Sequence, residues 1–252
     1  MTQKKRRTAK GRAKRKQRPA AILLSLVLLA AVFGIFWNKF TEIRVIEVTG
    51  VPADAAQMIA ERSGITTDMH LSDIDDESLQ RALGSLGAWE YLGYETEGQT
   101  YVRLNMRMRT ERAVTHYAGS TLVLDEYCQV MENRKDDPEY SLLEVVGLEI
   151  RSAAIGQELG TTDRNQALSV SEVIQALDET DAYSRIRELN AADLDNLYLI
   201  TGTGVQVILG DSSMMQDKCL WMIGVLDSLE AEGRYGGVVD VSTAESAVYR
   251  PQ

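Results

Sequence analysis

The sequence is poor in the side chains from which reactive centres are most often built. It holds two cysteines, Cys128 and Cys219, and two histidines, His70 and His116, in 252 residues. So small a set excludes the Cys/His clusters of structural zinc sites and a dense disulfide framework. No G-x-S-x-G, H-E-x-x-H or S-x-x-K signature and no P-loop occurs. With 37 carboxylates, close acidic pairs arise by chance, so no glycosidase-type pair stands out. No residue is therefore nominated as catalytic, cofactor-binding or metal-binding. A composition that is 44% apolar still suffices for a core, which excludes a disordered tail.

The net charge of −10 hides a split. Residues 1–18 carry ten Lys/Arg and no acid, and the remainder sets 17 Lys/Arg against 37 Asp/Glu, a net of −20. Next to the basic block lies Ala20–Trp37, an uncharged run with Phe33, Phe36, Trp37 and Phe40 at its far end. At about 1.5 Å per residue it reaches roughly 27 Å, near the thickness of a bilayer core. A cleaved signal peptide would have an apolar region of about 7–15 residues and a small-residue cleavage site. The aromatic end instead resembles an interfacial belt. This predicts a basic cytoplasmic tail over 1–19 and a transmembrane anchor over 20–40 that contacts membrane lipid. Positive charge is retained on the cytoplasmic side, so the acidic bulk is expected outside the cell membrane. Nucleic acid is not an expected partner, because the basic block has no interleaved aromatics and topology accounts for it.

The rest reads as an α+β protein. Ile43–Val48 is a strand ending at Thr49-Gly50, and a helix opens at Val51-Pro52-Ala53-Asp54 and stops near Ser63-Gly64. Asp73–Leu86 is a second helix, its acidic start suited to the positive end of the dipole. Trp89–Thr96 and Thr100–Thr110 form a hairpin whose second strand points Val102, Leu104, Met106 and Met108 inward and Arg103, Asn105, Arg107 and Arg109 outward. Downstream, Thr121–Leu124 and Gln129–Glu132 flank a turn, and Leu142–Val146, Ser184–Leu189, Leu197–Thr201, Val205–Leu209 and Val238–Val241 read as strands. Gln166–Asp178 and Asp217–Glu230 read as helices. Gly202-Thr203-Gly204 begins like a dinucleotide fingerprint, but Val207 replaces the third glycine and a strand follows, so it is a hairpin turn.

Taken in order, the basic tail, the apolar run, Ile46–Gly50, Arg62-Ser63-Gly64-Ile65 and Glu111-Arg112-Ala113-Val114 resemble the FtsQ/DivIB family of bacterial division proteins. The likeness continues through Asp125–Val130, Gly147, Leu209-Gly210 and Val239-Asp240-Val241-Ser242. Two departures are a junction without proline and Cys128 where the hairpin glycine is expected, a position that disfavours a side chain if φ is positive. The resemblance implies a POTRA-like β-α-α-β-β domain over 41–112, a mixed β domain with two helices over 113–242 and a C-terminal tail over 243–252. It also implies a non-enzymatic scaffold at the division septum that binds FtsL-like and DivIC/FtsB-like single-pass proteins and couples assembly to peptidoglycan synthesis. By position, partner binding falls on Val239, Asp240, Val241, Ser242, Ala247, Val248 and Tyr249. From the residues alone, Val238–Val241 is a strand with or without a partner, and Tyr249 is an anchor or a frayed terminal residue. The competing readings are an anchored cell-wall enzyme or sensor, or a POTRA-bearing sporulation or transport factor. Cys128 and Cys219 bond only if their Cα atoms come within about 7 Å; Cys219, on an apolar helical stripe, reads as a buried free thiol. The arginine row is either a solvated face or a contact for anionic polymer.

Overall fold

The computed structural model describes residues 17–135 and 141–251, apart from the side chains of 17–21, 35 and 38. The basic tail as far as residue 16 lies outside the described residues. The first helix, α1, spans Gln17–Phe40. Among the described residues no helix is long and apolar enough to cross a membrane. The expected transmembrane anchor over 20–40 is therefore corrected, and with it the single-pass cell-membrane localisation with a cytoplasmic N-terminus. What remains of the expected fold class is a mixed α+β architecture.

The first sheet is built from β1 (Val45–Thr49), β2 (Trp89–Glu97) and β3 (Tyr101–Met108), with α2 (Ala53–Ser63) and α3 (Asp76–Gly84) between β1 and β2. Its order is β1-β3-β2, so β3 is central, parallel to β1 and antiparallel to β2. Both helices pack on one face, where Ile59, Leu79 and Leu83 meet Val102, Leu104 and Met106. The helix ends follow local chemistry. Gly64 closes α2 in the left-handed conformation, and the Asp75 carboxylate accepts from Ser78 N at 3.2 Å to start α3. That cap explains why α3 begins at Asp76 and 71–73 form a separate 3-10 turn. Met108, expected inward, is 63% exposed, because β3 outlasts its core there.

The second sheet has nine strands. They are β4 (Ala113–Tyr117), β5 (Ser120–Leu124), β6 (Val130–Arg134) and β7 (Leu143–Val146), then, after a two-stranded ribbon of β8 (Ile150–Ser152) and β9 (Gly160–Thr161) and the helix α4 (Arg164–Glu179), β10 (Ile186–Asn190), β11 (Leu197–Thr201) and β12 (Gln206–Gly210). The helix α5 (Met215–Ala231) precedes β13 (Val238–Asp240) and β14 (Val248–Arg250). The order across the sheet is β14-β13-β12-β11-β10-β7-β4-β5-β6. Val170, Val173, Ile174 and Leu177 of α4 and Cys219, Met222 and Leu226 of α5 share one core with Leu122, Leu189, Leu199, Val207 and Val239. Helical spacing on the two helices and alternation on the strands thus meet in a single apolar layer.

Candidate partner-binding edge

The predicted site residues gather at one end of the nine-stranded sheet. β13 lies parallel to β12, and β14 folds back antiparallel outside it with Val239 opposite Tyr249 and Asp240 opposite Val248. Val239 and Val241 are fully buried, and β13 is flanked by β12 on one side and β14 on the other, so the strand predicted to receive a partner is an interior one. Asp240 organises the turn after β13: its Oδ1 accepts from Ser242 N at 3.2 Å and Ser242 Oγ at 2.8 Å, and its Oδ2 faces Arg250 Nη2 at 3.2 Å. Ala247 and Tyr249 are half-buried against the core. The Tyr249 hydroxyl donates to Gly236 O at 3.3 Å, and its ring occupies the place a side chain on Gly237 would need. Val248 points to the other side of the sheet and is 54% exposed. β14 ends the strand order on this side.

The loop from β13 to β14 is pinned from the helix side. Trp221 Nε1 of α5 donates to Ala244 O at 3.0 Å, and Ala244 takes a left-handed φ of 57°. Lys218, 1% exposed, reaches Asp211 O at 2.8 Å and Asp211 Oδ1 at 2.9 Å. Hydrogen bonds from Ser213 and Lys218 hold the Asp211 carboxyl down at about 2.

The opposite end of the sheet is paired at its start. Val130 N of β6 donates to Gln157 O at 2.8 Å, Gly156 N donates to Val130 O at 2.7 Å, and Gln129 bridges Glu158. Residues 156–158 therefore occupy the start of that edge as an added strand would.

The reactive candidates are otherwise engaged. Cys128 and Cys219 are free and buried; burial raises both thiols, Cys219 to about 11, which keeps them from acting as thiolates near neutral pH. Cys128 adopts φ 56° in the turn where a glycine was expected. His70 Nδ1 sits 3.1 Å from Thr41 Oγ1, and His116 Nε2 lies 3.7 Å from Glu144. Among the described residues no group of His, Cys, Asp and Glu could hold a metal ion. The arginine row is spent internally. Arg103 pairs with Glu47 at 2.8 Å and Glu95 at 3.6 Å, Arg107 with Glu90, and Arg109 with Asp125. Sequence reasoning missed β14 as a strand, since three residues before Pro251 give little periodic signal.

No family model and no curated protein matches the chain. Among solved structures it is similar to the major extracytoplasmic domain of the trans isomer of the bacterial cell division protein DivIB from Geobacillus stearothermophilus. The identity is 16%, the match covers 49% of this chain and 95% of that one, and the TM-score is 0.32. A likeness at this level is distant and by itself fixes neither fold nor function.

Proposed function

We propose that the chain is a non-enzymatic scaffold of the bacterial division machinery that receives a partner of the FtsL or DivIC/FtsB type as a strand added to β14. The observation that carries this reading is that the nine-stranded sheet ends at β14 with no strand beyond it among the described residues, whereas at its other end the start of β6 is paired at Val130 with Gly156 and Gln157. An edge strand offers unpaired main-chain donors and acceptors, and alternate side chains select the partner. Here Val248 and Arg250 would meet the added strand on one face, Ala247 and Tyr249 on the other. The partner class rests on the ordered motifs of the sequence and their resemblance to the FtsQ/DivIB family.

The test is photo-crosslinking of the full chain with reactive side chains placed at Val248, at Tyr249 and, as control, at Arg103. Capture of an FtsL-like or DivIC/FtsB-like protein from Val248 and Tyr249 but not Arg103 is expected. Capture from Arg103 alone would move the site to the three-stranded sheet, and capture from none of them would remove the scaffold reading.

A further inference from the structure

The chain passes from the three-stranded unit to the nine-stranded unit through Arg109–Arg112, and both ends of that passage are tied. Arg109 N donates to Ala88 O at 3.0 Å on the first side, and Arg112 N donates to Leu124 O at 2.8 Å on the second. Between them the Arg109 guanidinium crosses to the Asp125 carboxylate in the β5–β6 turn. The Arg109 side chain is 7% exposed and that of Asp125 1% exposed, although they belong to different units. Asp125 has a second duty: its Oδ1 accepts from Tyr127 N at 2.9 Å and Gln129 N at 2.8 Å, which shapes the turn. Its Oδ2 is the oxygen given to Arg109.

A second seam lies beside this pair. The end of α3 and the start of β2 approach the β6 side so closely that a Cβ on Gly156 would stand 1.5 Å from Gly84 O and one on Gly87 1.9 Å from Met131 O. Main chain approaches main chain there, with the Ile155 side chain beside Gly87. A glycine seam gives contact without direction; a charge-assisted hydrogen bond from Arg109 Nη1 to Asp125 Oδ2 at the crossover adds a directional tie between the units. Buried from water, the pair is little weakened by salt.

From this geometry we infer that Arg109 and Asp125 form a latch that sets the orientation of the three-stranded unit on the nine-stranded unit. Arg109 and Asp125 are positioning residues in this role. The inference goes beyond strand addition and stands whether or not β14 receives a partner.

The two duties of Asp125 can be separated. Asp125→Asn keeps an Oδ1 for Tyr127 N and Gln129 N but sets an amide donor against the guanidinium, so the turn stays and the latch is lost. Arg109→Met removes the guanidinium and keeps an unbranched apolar stem. Spin labels on Glu97→Cys and Gln216→Cys, both at exposed positions on different units, report the distance between the units in the full chain by pulsed dipolar spectroscopy. The parent is expected to give one narrow peak, Asp125→Asn and Arg109→Met to lose it with circular dichroism unchanged, and Arg109→Lys, which keeps a cation at similar reach, to retain it. A narrow peak in both disrupted variants would overturn the latch and leave the glycine seam as the sole constraint. Loss of folded circular dichroism in both would overturn it too, by showing that the pair maintains a core and not an angle.

Discussion

The two ends of the nine-stranded sheet are made from similar short strands and treated in opposite ways. At β6 the start of the edge is paired with residues 156–158, which press against the three-stranded unit, and a buried charge pair joins the two units nearby. At β14 the charges sit in water, Arg250 facing Asp240 at 3.2 Å with the arginine side chain 61% exposed, and nothing pairs beyond the strand among the described residues. An open edge is an aggregation hazard as well as an opportunity, and pairing the start of one end leaves the other the more open of the two. β14 also carries the devices that blunt an edge, being three residues long, bearing Arg250 and followed at once by Pro251.

The sharpest way to break the comparison is to remove one charge at each end. Arg109→Ala strands a buried carboxylate and is expected to cost about 3–5 kcal/mol, whereas Arg250→Ala removes an exposed pair worth about 0–1 kcal/mol. Denaturant unfolding of the two variants reads the difference directly, and equal losses would mean that the ends are not distinct. A smaller effect is expected from Gly156→Ala. That position has φ 77° and no room for a side chain, so overpacking should cost about 1–3 kcal/mol and pull 156–158 away from β6. Faster amide hydrogen exchange at Val130 and Gly156, with Val248 unchanged, is the measurement that checks it.

The third test uses pH at the β14 end. The folded Asp211 carboxyl is held at about 2, below the ordinary aspartate value of about 3.9. A depressed folded value contributes stability that is fully present above about pH 4 and is lost as pH falls toward 2. Because this carboxyl is well exposed, the contribution is modest after solvent screening. Asp211→Asn should flatten the acid limb of the unfolding curve in that window and leave the curve above pH 5 parallel to the parent's. A wholly unchanged acid limb would show that Lys218 and Ser213 do not bias its ionisation.

Much of the framework is legible in the residues. The hairpin of β2 and β3, the strand β11 and the helices α4 and α5 carry strong periodicity, and each lies within a few residues of its expected bounds. β4 was missed because Ala113-Val114 reads as a junction, and its role as a strand depends on pairing with β5 and β7. Arg109 shows the limit most clearly. Alternation puts it on the wet face with Arg103 and Arg107, but β3 ends at Met108, and beyond it the surroundings are set by Asp125 of the other unit. At the candidate edge the sequence reads Val239 and Val241 as strand residues, while their full burial depends on α4 and α5, which no local pattern contains. Likewise Leu92 reads as part of a regular strand, yet a bulge between Tyr91 and Gly93 turns it outward.

The parallel pairing of β1 with β3 also has a mechanical meaning. Tension entering at the N-terminal end of β1 and leaving at the C-terminal end of β3 pulls two parallel strands in opposite senses along their length. The ladder from Val45 opposite Tyr101 to Thr49 opposite Asn105 is then loaded in shear, with evenly spaced bonds sharing the load instead of opening one after another. The first unit is thereby built as a stiff coupling between whatever precedes residue 45 and whatever grips the far edge.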